Sequence, residues 1–132
     1  AVLKLYFPKI NIIGIEREEA KGITHSLKAN KPLQKVYINS IADSLCAPIH
    51  MPYSFNIAKQ VIDDMLNITD MDMSDSMMFA HQHLKLFLEP ACVAGFAALK
   101  KLKDKNFYNQ NTLILLCGSN IDFQSWSSIV NN

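Results

Sequence analysis

The stretch N-T-L-I-L-L-C-G-S-N, Asn111 to Asn120, decides the fold. Its centre, Thr112 to Cys117, shows no polar–apolar alternation, so it predicts a strand covered on both faces. Such strands belong to parallel sheets, whose ligands sit beyond the strands' carboxyl ends. At that end the sequence places a thiol, a glycine and two small polar residues: Cys117, Gly118, Ser119 and Asn120. The pattern predicts a ligand-facing turn.

Working outward, Ile10 to Glu16 (INIIGIE) predicts another continuously apolar strand, and MLNIT after Asp64 a short one. A polar stretch from Arg17 to Pro32 is irregular or holds a short helix around Gly22 to Lys28. From Tyr37 to Pro52 no element is evident, and Pro48 and Pro52 break any helix. Phe55, Ala58, Val61 and Ile62 recur at helical spacing. Thr69 reads as a helix cap with Asp70 and Asp72 in the first turn, where carboxylates suit the helix dipole. That helix is expected to line up Met73, Met77, Ala80, Leu84 and Phe87 on one face. Pro90 suits a first helical position, with Glu89 as cap. The following ACVAGFAALKKLK has small residues for close packing and ends in lysines; FQSWSSIV closes the chain as a helix. Strands separated by helices predict an α/β fold: a partial open parallel sheet of about three strands with flanking helices. Residues 1–132 read as a single partial domain, without repeats or linkers.

Bulk properties narrow the classes further. With 132 residues, 49% hydrophobic, 19% charged and a net charge of +1, the chain has no basic stripe for nucleic acid or a membrane surface. No apolar run approaches a membrane span, and AVLKLYFPK is too mixed for a signal peptide. The chain lacks an initiator methionine, so a processed or excised piece is expected. Three cysteines, Cys46, Cys92 and Cys117, lack CxxC spacing and sit in apolar contexts. They read as reduced, buried thiols, which points to a cytoplasmic location.

Most polar clusters have plain structural readings. The run DMDMSDSM from Asp70 lacks the glycine and glutamate of a calcium loop, with Asp75 and His81 in their places. His81 and His83 stand two apart, on different helix faces, so no metal pair emerges. Of Asp63 and Asp64, one is expected to cap or pair locally. Cys117 and Glu89 keep two readings each: core thiol or site thiol, helix cap or site carboxylate.

Three segments, in one order, settle more. IADSLCAP (Ile41 to Pro48), LFLEPACVAGFAALKK (Leu86 to Lys101) and LLCGSNIDF (Leu115 to Phe123) follow IIGIE (Ile12 to Glu16). With these motifs the chain resembles the pyridoxal-phosphate-dependent serine/threonine dehydratases and the related serine racemases, over nearly its whole length. The resemblance implies the carboxyl-terminal part of the catalytic domain of a fold type II enzyme, similar to the tryptophan synthase β chain. It implies pyridoxal phosphate as cofactor, and an intact enzyme that converts L-threonine or L-serine to a 2-oxo acid and ammonia.

By that resemblance Cys117 is the serine-or-cysteine partner of the pyridine nitrogen. A weak donor there leaves the nitrogen unprotonated, which suits β-elimination. Gly118 would let the backbone pass close to the flat ring, with Ser119 and Asn120 ordering the turn. Glu89 falls near the ring-nitrogen side, acting through neighbours rather than as the base. Asp43 and Ser44 match a segment whose backbone approaches the cofactor, Ser44 standing where the family has glycine. Glu16 and the Ala20 carbonyl match two ligands of a cation site found in some members, and Gly22 stands where the third, an aspartate, is expected.

In the family, the cofactor-anchoring lysine and the glycine-rich phosphate loop precede the strand matched by IIGIE. The four glycines here are not clustered, and no lysine lies in a matching motif. The chain alone is therefore expected not to catalyse. The resemblance implies an amino acid substrate met through the complete enzyme, and the missing amino-terminal half or a second copy as partner. Two other readings stay open: a non-catalytic remnant that binds a partner polypeptide, and part of a serine racemase-like enzyme.

Overall fold

Two strands, β1 (Ile13–Arg17) and β2 (Asp64–Ile68), pair side by side in a small parallel sheet. The computed structural model describes residues 1–35, 40–45, 47–102 and 110–131. Cys46, the start of the stretch from Tyr37 and the expected helix-terminal Lys103 lie outside them. The chain divides into two compact units, Ala1–Ile38 with Cys46–Asn67, and Asn39–Leu45 with Ile68–Asn132.

In the first unit, parallel strands need a long crossover, and α2 (Gly22–Ala29) and α3 (Pro52–Val61) lie on it. Asn30 ends α2 in the left-handed conformation, with φ 54°. Pro52 starts α3 at a position where its missing N–H costs nothing, and Phe55 is the helix's buried residue. Inside this unit the Ser26 hydroxyl lies 2.8 Å from Nδ1 of buried His50. A short helix, α1 (Val2–Tyr6), buries no side chain. Lys4 at its centre anchors it, donating to Ile10 O at 2.6 Å and to Asp63 Oδ2 at 2.6 Å. Asp63 thus pairs with a distant lysine, while Asp64 makes the local bond, its Oδ1 accepting the Met65 N–H at 2.8 Å.

The second unit is helical. Thr69 caps α4 (Asp70–Phe79) reciprocally: its hydroxyl accepts the Asp72 N–H at 3.1 Å, and Asp72 accepts the Thr69 N–H at 2.8 Å. A 3₁₀ turn, Pro90–Val93, leads into α5 (Ala94–Leu102), and α6 (Phe123–Val130) starts with Asp122 accepting the Ser125 N–H. The helix α4 packs against both α5 and α6. Met73, Met77, Ala80, Val93, Ala97, Ala98 and Trp126 form the core. The alanines let α5 approach α4 closely, and Lys100 and Lys101 bridge to Asp75 and Asp72.

Three expectations are corrected. Residues 110–122 form no strand: the sheet among the described residues holds β1 and β2 alone. Leu113 and Leu115 point outward, 76% and 77% exposed, while Ile114 packs against Gly95. Cys117, expected buried, is exposed for the same reason, whereas Cys92 is buried. The apolar face of α4 stops at Ala80: a π turn, Ala80–Leu84, changes the periodicity and leaves Leu84 exposed. No helix among the described residues is long and apolar enough to cross a membrane.

Candidate functional site

The second unit contains a cleft of about 120 Å³ lined by Ile41, Ala42, Asp43, Ser44, Glu89 and Asn120, among others. Segments distant in the chain build it. The first is the loop 40–45, tied to the start of α4. Ser40 donates to Asp70 Oδ1 at 3.2 Å and accepts the Ala42 N–H at 3.0 Å. A 3₁₀ turn, Asp43–Leu45, follows, with Asp43 Oδ1 accepting the Ser44 N–H at 2.7 Å.

Glu89 forms the second wall. Its backbone has the extended conformation of a helix cap, yet its side chain caps nothing. Instead Oε2 accepts the N–H of Asn120 at 3.0 Å, and the Glu89 N–H reaches Gly118 O at 3.4 Å. Of the two sequence readings for Glu89, the cap is not made by its side chain, which binds the Asn120 turn instead. Gly118 donates its N–H to Cys92 Sγ at 3.3 Å.

The structure thus gathers Asp43, Ser44 and Glu89 on one cleft, with Gly118 bonded to Glu89. Cys117 immediately precedes this turn and is exposed outside the cleft lining. Cys92 joins the site through its sulfur, which accepts a backbone N–H, a role for which residue patterns carry no signal.

Glu16 and Ala20 lie apart, in the first unit. Both oxygens of buried Glu16 are engaged by the start of α2: Ile23 N–H at 2.6 Å, Thr24 N–H at 2.9 Å and the Thr24 hydroxyl at 2.8 Å. The Ala20 carbonyl accepts the Gly22 N–H at 2.8 Å. A carboxylate at a helix N-terminus is stabilised by the dipole without a cation. Among the described residues no three His, Cys, Asp or Glu side chains gather as a metal shell. Glu16 and the Ala20 carbonyl are thus engaged by N–H and O–H donors of the same unit.

A match to the family model described as pyridoxal-phosphate dependent enzyme covers residues 1–118. The chain belongs to that family. Phenylserine dehydratase of Ralstonia pickettii is 32% identical over 120 residues, covering 91% of this chain and 37% of the relative. The biosynthetic L-threonine dehydratase of Haemophilus influenzae is 26% identical over 94% of this chain and 24% of its own length. The chain therefore spans roughly a quarter to two-fifths of these relatives. Among solved structures, the processed form of threonine deaminase isoform 2 from Solanum lycopersicum superposes with a TM-score of 0.89 over 98% of this chain and 38% of that one. At 22% identity that likeness shows the fold. Maize serine racemase follows with a TM-score of 0.81 and 26% identity, over 97% of this chain and 42% of that one.

For a member of this family the cleft is small. Pockets that enclose a ligand run to roughly 300–1,000 Å³, so a cleft of about 120 Å³ is too small to enclose a cofactor by itself. The residues present fit one wall of such a site: a glycine turn, a neighbouring thiol and a carboxylate fixed by backbone. Among the described residues no lysine lines the cleft; Lys85 donates to Gln82 O, and Lys100 and Lys101 pair with aspartates.

Proposed function

We propose that this chain is the carboxyl-terminal part of the catalytic domain of a pyridoxal-phosphate-dependent L-threonine/L-serine dehydratase. The observation that carries the reading is the fastening of Glu89 to the Gly118–Asn120 turn beside a cleft that Asp43 and Ser44 also line. Each of these residues comes from a segment that carries the family resemblance. In the complete enzyme, pyridoxal phosphate supplies the electron sink at the amino acid's α-carbon.

The chain's own residues do the following. Cys117 would offer the ring nitrogen a weak S–H donor, which would leave that nitrogen unprotonated. Gly118 presents a bare backbone to the ring. Glu89 spends its charge on the Asn120 N–H, so it orders the turn and is not the base. Asp43 and Ser44 line the same cleft. The anchoring lysine, the phosphate cradle and most of the substrate grip come from the remainder of the domain, supplied by an amino-terminal half or a second copy. The amino acid substrate is met there, and this chain alone does not catalyse. The cytoplasm is the proposed location, supported by Cys92 and Cys117 as free thiols.

A dehydratase is favoured over a racemase by the 32% identity to phenylserine dehydratase. The serine racemase reading is supported by the maize structure, and the base that separates the two reactions lies outside this chain. A partner-binding remnant is the reading favoured by the outward leucines Leu113 and Leu115.

The test is an absorbance titration of the purified chain with pyridoxal phosphate, then borohydride reduction and peptide mapping. Scattered labelling of surface lysines is expected. One stoichiometrically labelled lysine whose spectrum responds to serine or threonine would overturn the assignment of an incomplete site. In the complete enzyme, Cys117→Ala should shift the cofactor spectrum and lower turnover; an unchanged spectrum and rate would remove Cys117 from the ring.

A further inference from the structure

Cys92 is buried in the second unit, 3% exposed, yet its sulfur faces a polar group. The Gly118 N–H donates to Sγ at 3.3 Å. A thiol is a weak acceptor, so its use here reflects what the turn lacks. Residues 110–122 form no ladder among the described residues, and their amides need other partners. The start of the Pro90–Val93 turn supplies them. Glu89 takes the Asn120 N–H, Cys92 takes the Gly118 N–H, and the Glu89 N–H reaches the Gly118 carbonyl.

The N–H of Gly118 belongs to the peptide plane that also contains the Cys117 carbonyl and Cα. Because that plane is rigid, whatever holds the N–H orients Cys117. We propose that Cys92 is a positioning residue for Cys117: its sulfur fixes the Cys117–Gly118 peptide plane and so aims the Cys117 side chain. The inference rests on Cys117 as the ring-nitrogen partner, but the contact itself can be tested without cofactor.

The first measurement is amide hydrogen exchange of this chain by NMR, in the parent, Cys92→Ala and Cys92→Val forms. Valine keeps the buried volume and removes the acceptor. In both variants Gly118 protection should fall about fivefold, the equivalent of one ordinary hydrogen bond, while the amides of α5 keep theirs. Recovery of Gly118 protection in Cys92→Val would assign Cys92 to packing and overturn the proposal. So would a Gly118 amide exchanging at the unprotected rate in the parent chain, a measurement that needs no variant to fold.

The second readout is the absorbance of the cofactor in the complete holoenzyme. Cys92→Val should displace the maximum in the same direction as Cys117→Ala, with no further displacement in the double variant. A shift in Cys117→Ala alone overturns the positioning role and leaves the function standing. No shift in either variant removes Cys117 from the ring and the proposal with it.

Discussion

The carboxylate of Glu89 occupies the space that a side chain on Gly118 would need. A Cβ at Gly118 would stand 2.6 Å from Glu89 Cδ and 3.1 Å from its Cγ. The glycine is therefore required by close approach, not by its own backbone angles, since no glycine of the described chain has positive φ. Gly118→Ala should push the Glu89 side chain aside and break its bond to Asn120, costing about 1–2 kcal/mol. Urea unfolding and Asn120 amide exchange would register it together.

Gly14→Ala is the informative contrast. A Cβ there meets the end of the Met65 thioether, with Cε at 3.1 Å. That side chain is adaptable and can swing away without losing a charged partner. The expected cost is under about 1 kcal/mol, and an effect as large as that of Gly118→Ala would contradict this account.

Glu16 makes a second testable pair. Its two oxygens receive three hydrogen bonds from the first turn of α2. Glu16→Gln removes the charge and replaces one acceptor by a donor, so a loss of about 1–3 kcal/mol is expected in unfolding experiments. Millimolar Mg²⁺, Mn²⁺ or Ca²⁺ should leave the melting temperature of the parent chain unchanged. A saturable rise would mean that a cation displaces these donors.

Acid should loosen both units through their paired aspartates. At Asp72, burial opposes ionisation, but the Thr69 N–H and hydroxyl and Lys101 outweigh it and hold the carboxyl below its ordinary value of 3.8. The Ile12 N–H, then Lys4, lowers Asp63, and the Ser125 hydroxyl and N–H lower Asp122. A carboxyl lowered by folding releases its proton more readily in the native state than in the unfolded one. The stability it adds is complete above 3.8, declines as pH falls through that value, and is gone below the lowered native value. Asp72→Asn should therefore flatten the fall in stability across this acid window, as followed by urea midpoints.

The bare face of residues 110–117 predicts self-association of the isolated chain. Leu113 and Leu115 are three-quarters exposed on it. Replacing both with lysine should reduce sedimentation of larger species and dye binding to apolar surface. Stability should change by no more than about 0.5 kcal/mol for such exposed sites. A cooperative loss of structure would show that these leucines already pack within the chain.

The sequence by itself determined what neighbouring residues decide among themselves. The reciprocal cap of Thr69 and Asp72, the proline-started turn at Pro90, the small-residue face of α5 and the span of α6 depend on contacts a few positions apart. Periodicity and capping chemistry report such contacts directly. The motifs around Asp43, Glu89 and Gly118 were legible too, as a family pattern. Only the tertiary structure decided where the side chains went. Glu89 has a cap's backbone but reaches Asn120, 31 positions on, and Glu16 serves the helix that follows it. An apolar run announces that it needs cover but cannot say which strand supplies it. Leu113 and Leu115 therefore lie bare, in a segment that pairs with no strand among the described residues. Partners of that kind are set by chain distant in sequence, and their order appears only once the backbone has folded.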